Sequence, residues 1–355
     1  MKPLKMGVAY HGNRMMTHVR EDLKKIVDAD MDLVVHMFSH NDWERHDTVM
    51  RDIFKATEDM GLEVWVDNWG IGGAPGDKCH FLAYHPEAHT YYGDGIMHPY
   101  QICLNSPAYR QFVKDWVDKV KEIGGKTIFW DEPLIPSMRI EGSDNYYSCC
   151  TCPTCRKLFE ERFNKKMPTV MDGDVAAFRN ETLIEFHNFI TEYASGKDMT
   201  NTICFMPYQL AGLTNATKQD KLNEMDIASI CKIPQLHNIG TDPYWYDRHD
   251  PYEYVYNSTR ACVDTANAYG KDHNIWIQTY NHRRGHEEEI VTAYEAAYDA
   301  GARTIIAWSF MGGEPNSYHA ECPEITWKKT AEGVRRVRDM ERDRILADCR
   351  KKYMK

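Results

Sequence analysis

No stretch of this 355-residue sequence approaches the roughly 18 uninterrupted apolar residues of a membrane-spanning helix. The N-terminal MKPLKMGVAYHG enters an apolar strand pattern directly, with no long hydrophobic region or small-residue cleavage site, so neither a bilayer span nor a secretory signal is expected. Positive charge is in deficit: 43 Lys and Arg stand against 53 Asp and Glu, a net charge of -10. Phosphate backbones and anionic membrane surfaces would be repelled, which excludes nucleic acid and membrane as partners and leaves small neutral molecules, sugars included. Low-complexity segments are also missing, and 43% hydrophobic with 27% charged residues is the composition of a soluble globular chain with a large core. A disulfide framework is not indicated either. The 11 cysteines are an odd number, and Cys149, Cys150, Cys152 and Cys155 crowd together, which suits a reducing cytoplasm and a metal site.

What is present is an alternation of short β-branched and aromatic runs with longer stretches at helical period. Strands are expected over 5–10, 33–38, 63–68, 127–131, 202–208, 239–243, 274–279 and 304–309, and helices over 18–29, 42–60, 107–123, 175–195, 221–230, 251–269, 287–300 and 325–340. Right-handed crossovers close such a repeat into an α/β fold, the (β/α)8 TIM barrel. It is expected to occupy 1–340 as one domain, with 341–355 as a helical or solvated tail. Gly61, Gly124, Gly196, Gly270 and Gly301 each follow an apolar-periodic run at the place of a helix C-cap. The long segments 70–106 and 134–174 fall after strands three and four, on the rim where barrels build their sites.

The strand ends expected to share a pocket carry His11, Arg14, His40, Asp67, Asn68, Trp69, Asp131, Tyr208, Tyr244, Trp245, Gln278, Asn281 and Trp308 as candidate substrate contacts, with His36 and His282 nearby. Amides and carboxylates mixed with flat aromatic faces suit a sugar, whose hydroxyls need directional partners and whose C–H faces pack on rings. Asp131 and Glu132 are adjacent and are expected on opposite sides of strand four, one catalytic and one positioning, with Pro133 keeping Glu132 extended. Glycoside hydrolysis needs a protonated carboxyl and a second carboxylate. Glu132 is read as the acid. Asp242, Asp67 and Glu314 are candidate partners, Asp242 first, because GTDPYW repeats the strand–carboxylate–Pro arrangement beside two aromatics.

In CTCPTC, Cys150, Cys152 and Cys155 offer three thiolates on a turn leading into a helix, a spacing that wraps one tetrahedral Zn²⁺. Cys103, in the other long rim loop, is the best fourth ligand, and Cys149 faces away. A four-thiolate site is closed and structural.

Two segments carry a family resemblance. ICLNSPAYRQFV resembles the Cys-Pro-Asn-Ser-Pro-x-Tyr-Arg stretch of the family 42 glycoside hydrolases, which are β-galactosidases, and CTCPTCRKLFEERF resembles the Cys-x-Cys-x-x-Cys helix start after their fourth strand. The resemblance implies one structural zinc on Cys103, Cys150, Cys152 and Cys155, and an acid/base at Glu132, with Asp131 where an Asn normally meets the sugar 2-hydroxyl. Two departures stand out. The usual strand-seven Glu nucleophile is replaced by Gln278 in IWIQTYNH, and the eighth unit is the last, without the family's trimerisation and β-rich domains. A trimer is therefore not expected, while a homo-oligomer of another kind stays open.

The expected activity is hydrolysis of O-glycosyl bonds in a small glycoside or oligosaccharide by Glu132 and Asp242. One alternative is a metal-dependent sugar isomerase or hydrolase barrel using His11, His36, His40, Asp67, Asp242 and His282. The other, encouraged by Gln278, is a non-catalytic sugar-binding barrel.

Overall fold

The computed structural model describes residues 2–72, 79–211, 217–245 and 250–353. Residues 73–78 of the expected long loop and 354–355 of the expected tail lie outside them. The barrel strands are β1 (Lys5–Tyr10), β2 (Leu33–Met37), β3 (Glu63–Asp67), β4 (Thr127–Trp130), β5 (Thr200–Phe205), β6 (Asn238–Thr241), β7 (Asp272–Gln278) and β8 (Thr304–Trp308). All pair in parallel in sequential order, and β8 returns to β1, so the (β/α)8 barrel closes as expected.

Strand alternation sorts the apolar side chains into two layers. Ala9, Val35, Trp65, Phe129, Cys204, Trp276 and Ile306 point inward and fill the barrel. Val8, Val34, Val64, Ile128, Ile203, Ile275 and Ile305 point outward into the helix-covered core. The covering helices are α1 (Met16–Asp28), α2 (His40–Asp59), α3 (Pro107–Glu122), α4 (Gly173–Ser195), α5 (Pro251–Ala268), α6 (Glu288–Asp299) and α7 (Pro323–Tyr353). Several begin on readable caps: Ser39 and Asp42 form a capping box on α2, and Ser106 and Asp250 cap α3 and α5, each followed by proline.

Some local expectations need correction. The helix expected over 221–230 is two short ones, Lys218–Leu222 and Ile227–Cys231, because Thr217 and Asp226 each cap a separate start. Gly124 (φ 104°) and Gly301 (φ 101°) take the left-handed turn after their helices, as a C-cap glycine should. Gly196 keeps a helical φ of -62°, and Asp198 (φ 57°) supplies the left-handed residue of that turn.

The long rim loops hold elements that periodicity did not show. An antiparallel hairpin (His89–Tyr91 with Met97–Ile102) follows β3, and a helix (Pro153–Phe163) follows β4. Pro99 inside the hairpin masks it as a strand, since proline is tolerated only where no ladder bond is needed. Residues 341–353 continue α7 without a break. Among the described residues no helix is long and apolar enough to cross a membrane.

Candidate active site

A cavity of about 610 Å³ opens at the C-terminal ends of the strands. The inward ring of Phe129, Cys204 and Trp276 continues into it, and Trp69, Trp308, Tyr208, Tyr244, Tyr254, Tyr280 and Tyr318 form much of its wall. Its polar groups are Asp131, Glu132, Asp242 and Asn281.

Asp131 and Glu132 both face this cavity, contrary to the alternation expected of neighbours on one strand. β4 ends at Trp130, one residue before the pair, and Glu132 adopts a left-handed φ of 41° rather than the extended geometry expected before Pro133. The turn swings its carboxyl back over the barrel. Such a backbone costs on the order of 1–3 kcal/mol in a non-glycine residue and tends to mark a functional position. Asn68 supports the turn, its Oδ1 accepting from the Asp131 N–H at 2.8 Å.

Glu132 and Asp242 share a hydrogen bond. Burial raises the Glu132 pKa from 4.5 to about 7, and the bond with Asp242 pulls the other way. Asp242 is raised well above its ordinary range by burial, then by the Glu132 charge and by the shared bond. Asp131 is raised by burial and then by the charges of Asp67, Glu132 and Asp242. Asp67 is fully buried, and neither of its carboxylate oxygens has a partner in bonding geometry. Burial lifts its pKa far up, the nearby Trp69 backbone N–H offsets part of this, and Glu132 adds to it. Burial thus raises all four carboxyl groups, and neighbouring carboxyl charges add to it at Asp67, Asp131 and Asp242.

Of the expected contacts, Trp69, Asp131, Tyr208, Tyr244, Asn281 and Trp308 line the cavity with Glu132 and Asp242. The others turn elsewhere. His11 lies edge-on to Trp69 and Trp308, at 5.2 and 4.7 Å between ring centres, and burial lowers its pKa to about 3, so it is a neutral prop behind two wall residues. Arg14 binds Asp42 Oδ1 at 2.8 Å and the Gly12 carbonyl at 3.1 Å. Trp245 is fully buried and donates from Nε1 to Glu289 at 2.7 Å. Gln278 is buried, with its Nε2 donating to the Tyr280 carbonyl at 3.2 Å. Glu314 is exposed and away from the cavity. Phe129 and Trp276 were legible from strand parity as cavity residues; Tyr254, from α5, and Tyr318, from the loop after β8, carried no local signal.

The histidines do not converge on a metal at the barrel mouth. His36 Nε2 meets Thr57 Oγ1 at 2.9 Å on the outer face, and His282 Nε2 meets the Gln278 carbonyl at 3.2 Å. His40 Nδ1 accepts from the His80 N–H at 3.2 Å, while its Nε2 lies 3.4 Å from Glu44. Among the described residues, only two groups bring three or more ligand atoms within 4.8 Å of one another: His40 with Glu44 and His80, and the four cysteines Cys103, Cys150, Cys152 and Cys155.

The cysteine cluster fits a metal well. All four residues are buried and unpaired in disulfides. Cys103 Sγ lies 3.3 Å from Cys155 Sγ and 3.5 Å from Cys152 Sγ, close to the sulfur spacing that tetrahedral bonds of about 2.3 Å produce. Hydrogen bonds within the group draw the Cys152 and Cys150 thiols below their ordinary pKa and push those of Cys103 and Cys155 above it, as in a cluster sharing protons. Cys149 stands outside the group, as its neighbour's orientation required.

No protein-family model matches the sequence, and no curated protein does. The fold has counterparts among solved structures. A β-galactosidase from Bacillus circulans sp. alkalophilus superposes with a TM-score of 0.67 at 12% identity, over 95% of this chain and 56% of that one. The catalytic domain of a β-amylase from Paenibacillus polymyxa gives 0.60 at 11% identity, covering 86% and 92%. A D-allulose 3-epimerase from Methylomonas sp. gives 0.51 at 11% identity, covering 95% and 99%. At such identities the likeness is one of barrel architecture, which glycoside hydrolases and an epimerase share.

Proposed function

We propose that this chain is a glycoside hydrolase acting on a small glycoside or oligosaccharide, with Glu132 as general acid and Asp242 as base or nucleophile. The observation that carries the reading is a carboxyl pair in mutual contact on the wall of a sugar-sized aromatic cavity. Burial raises both carboxyls and the two are coupled, so near neutral pH the pair keeps a proton between them. Catalytic carboxyls stand roughly 5–5.5 Å apart in retaining enzymes and roughly 6.5–9.5 Å apart in inverting ones. A glycosidic bond therefore reaches this pair only by parting it. Once the pair is parted, we place the proton on Glu132, beside the leaving oxygen. Asp242 is left charged, to attack the anomeric carbon or to activate water. A Glu132 pKa near neutrality lets it give up and regain the proton in each turnover.

Glu132→Gln and Asp242→Asn are each expected to lower kcat/KM on aryl glycosides by about 10²–10⁴-fold. Two variants as active as the parent would end the reading. The anomer of the first product, followed by NMR, separates retention from inversion. Gln278 favours a second reading, a sugar-binding barrel without chemistry, because β7 contributes an amide where a carboxylate would serve. Saccharide binding with no turnover across both anomers would select it.

Cys103, Cys150, Cys152 and Cys155 are proposed to hold one structural Zn²⁺, which when bound would clamp the loop after β3 to the loop after β4 with no open coordination position. Thiolates of this kind belong in a reducing compartment, which supports a cytoplasmic location. Kinship with the family 42 enzymes remains part of this proposal and rests on the same two cysteine segments.

A further inference from the structure

Glycoside hydrolysis uses two carboxyl groups, and this site has four. Asp131 lines the cavity at 8% exposure. Asp67 projects into the barrel from the end of β3, on the same face as Trp65, fully buried and with both oxygens unpartnered. The charges of Asp67 and Asp131 act on each other. No Lys, Arg or His is among the described residues that line the cavity. Arg14, on the same rim, is tied to Asp42.

Buried carboxylates without a counter-ion are costly, and the ring faces of Trp69, Trp308, Tyr208 and Tyr244 around them carry negative quadrupoles. Both features call for a cation. A metal ion would need at least three ligand atoms to converge, and these carboxyls are in neither of the groups that do. Aromatic faces suit an organic ammonium instead.

We propose that the substrate is the glycoside of an amino sugar with a free ammonium group, which Asp131 contacts and Asp67 backs with a second carboxyl group, while the indole and phenol faces cover its ring. This rests on the glycosidase reading above and adds the substrate class to it.

The full-length protein should be assayed on 4-nitrophenyl glycosides of glucosamine and galactosamine, both anomers, beside the matched N-acetylated, neutral and uronic acid glycosides. Binding of free glucosamine and galactosamine should be compared calorimetrically with glucose and galactose. The free-amine glycoside is expected to exceed its neutral match by at least about tenfold in kcat/KM, the usual reach of a desolvated cation–π and charge contact. N-acetylation should abolish the preference, and Asp131→Asn or Asp67→Asn should reduce it below about threefold. Turnover of neutral or N-acetylated glycosides as fast as the free amines would overturn the amino-sugar class and leave the glycosidase standing. Tighter binding of amino than of neutral sugars without any turnover would uphold the class and sink the glycosidase. Equal binding with no turnover would sink both, and a requirement for added Mg²⁺, Ca²⁺ or Zn²⁺ that EDTA reverses would assign the carboxyls to a metal.

Discussion

The barrel has a polar cavity at each end, and the two treat charge in opposite ways. At the N-terminal ends of the strands, a cavity of about 390 Å³ is lined by Lys2, Lys5, Glu63, Asp272 and Arg303 among others. There Lys2 pairs with Asp272, Lys5 with Glu63, and Arg303 Nη2 reaches Glu341 Oε1 at 2.7 Å. At the C-terminal ends, Asp67, Asp131, Glu132 and Asp242 crowd together, all four raised by burial and all but Glu132 raised further by a neighbouring carboxyl charge. The same fold, built from the same kinds of side chain, balances its charges at one end and accumulates a single sign at the other. Balance is what stability favours; accumulation persists where chemistry needs it.

This contrast can be broken most strongly at Glu132. Glu132→Gln should lower kcat/KM by about 10²–10⁴-fold, while Glu341→Gln, at the balanced end, should leave kcat/KM near the parent value. Next in size is the proposed zinc clamp. Cys103→Ser should remove close to one zinc per chain, read by metal analysis, and lower unfolding stability by about 3 kcal/mol in denaturant titration. Glu341→Gln should then lower stability by about 1–2 kcal/mol, because both partners of its ion pair are only 14% exposed and Arg303 is left uncompensated.

A pH-dependent effect has the opposite sign. Glu132 has a folded-state pKa of about 7 against an ordinary 4.5, so between those values the folded chain keeps a proton that the unfolded chain releases. Its stabilising contribution is complete below pH 4.5 and lost as pH rises through about 7. Glu132→Gln lacks that loss, so its melting temperature should rise relative to the parent as pH goes from 4.5 to 8. A gap that stays constant with pH would show that Glu132 is not held protonated by its surroundings.

The barrel was legible because it is written in two periods. Strand parity separates Phe129 and Trp276 from Ile128 and Ile275, and the turns after α3 and α6 carry their glycines. The rim was harder to read. Pro99 hid a hairpin strand, and two caps hid a break between two short helices. Within the site, the types of residue were readable and their directions only partly so. Past the last ladder bond a single backbone angle decides where a side chain goes, as the left-handed Glu132 shows by joining Asp131 in the cavity. His11, Arg14 and Trp245 stand at comparable strand ends and were drawn to other partners, which no local pattern announces. Tyr254 and Tyr318 reach the cavity from a helix and a distant loop, a placement only the closed barrel creates.

The central claim is that Glu132 delivers the proton to the departing oxygen. Its most direct test is the dependence of Glu132→Gln activity on the leaving group, because a good leaving group departs without protonation and a poor one does not. Across a series of aryl glycosides of one sugar, the variant should approach the parent kcat/KM on 2,4-dinitrophenyl glycosides and fall behind by about 10²–10⁴-fold on phenyl and alkyl glycosides. A uniform loss across the series, with the steep leaving-group dependence appearing in Asp242→Asn instead, would contradict the assignment and make Asp242 the acid.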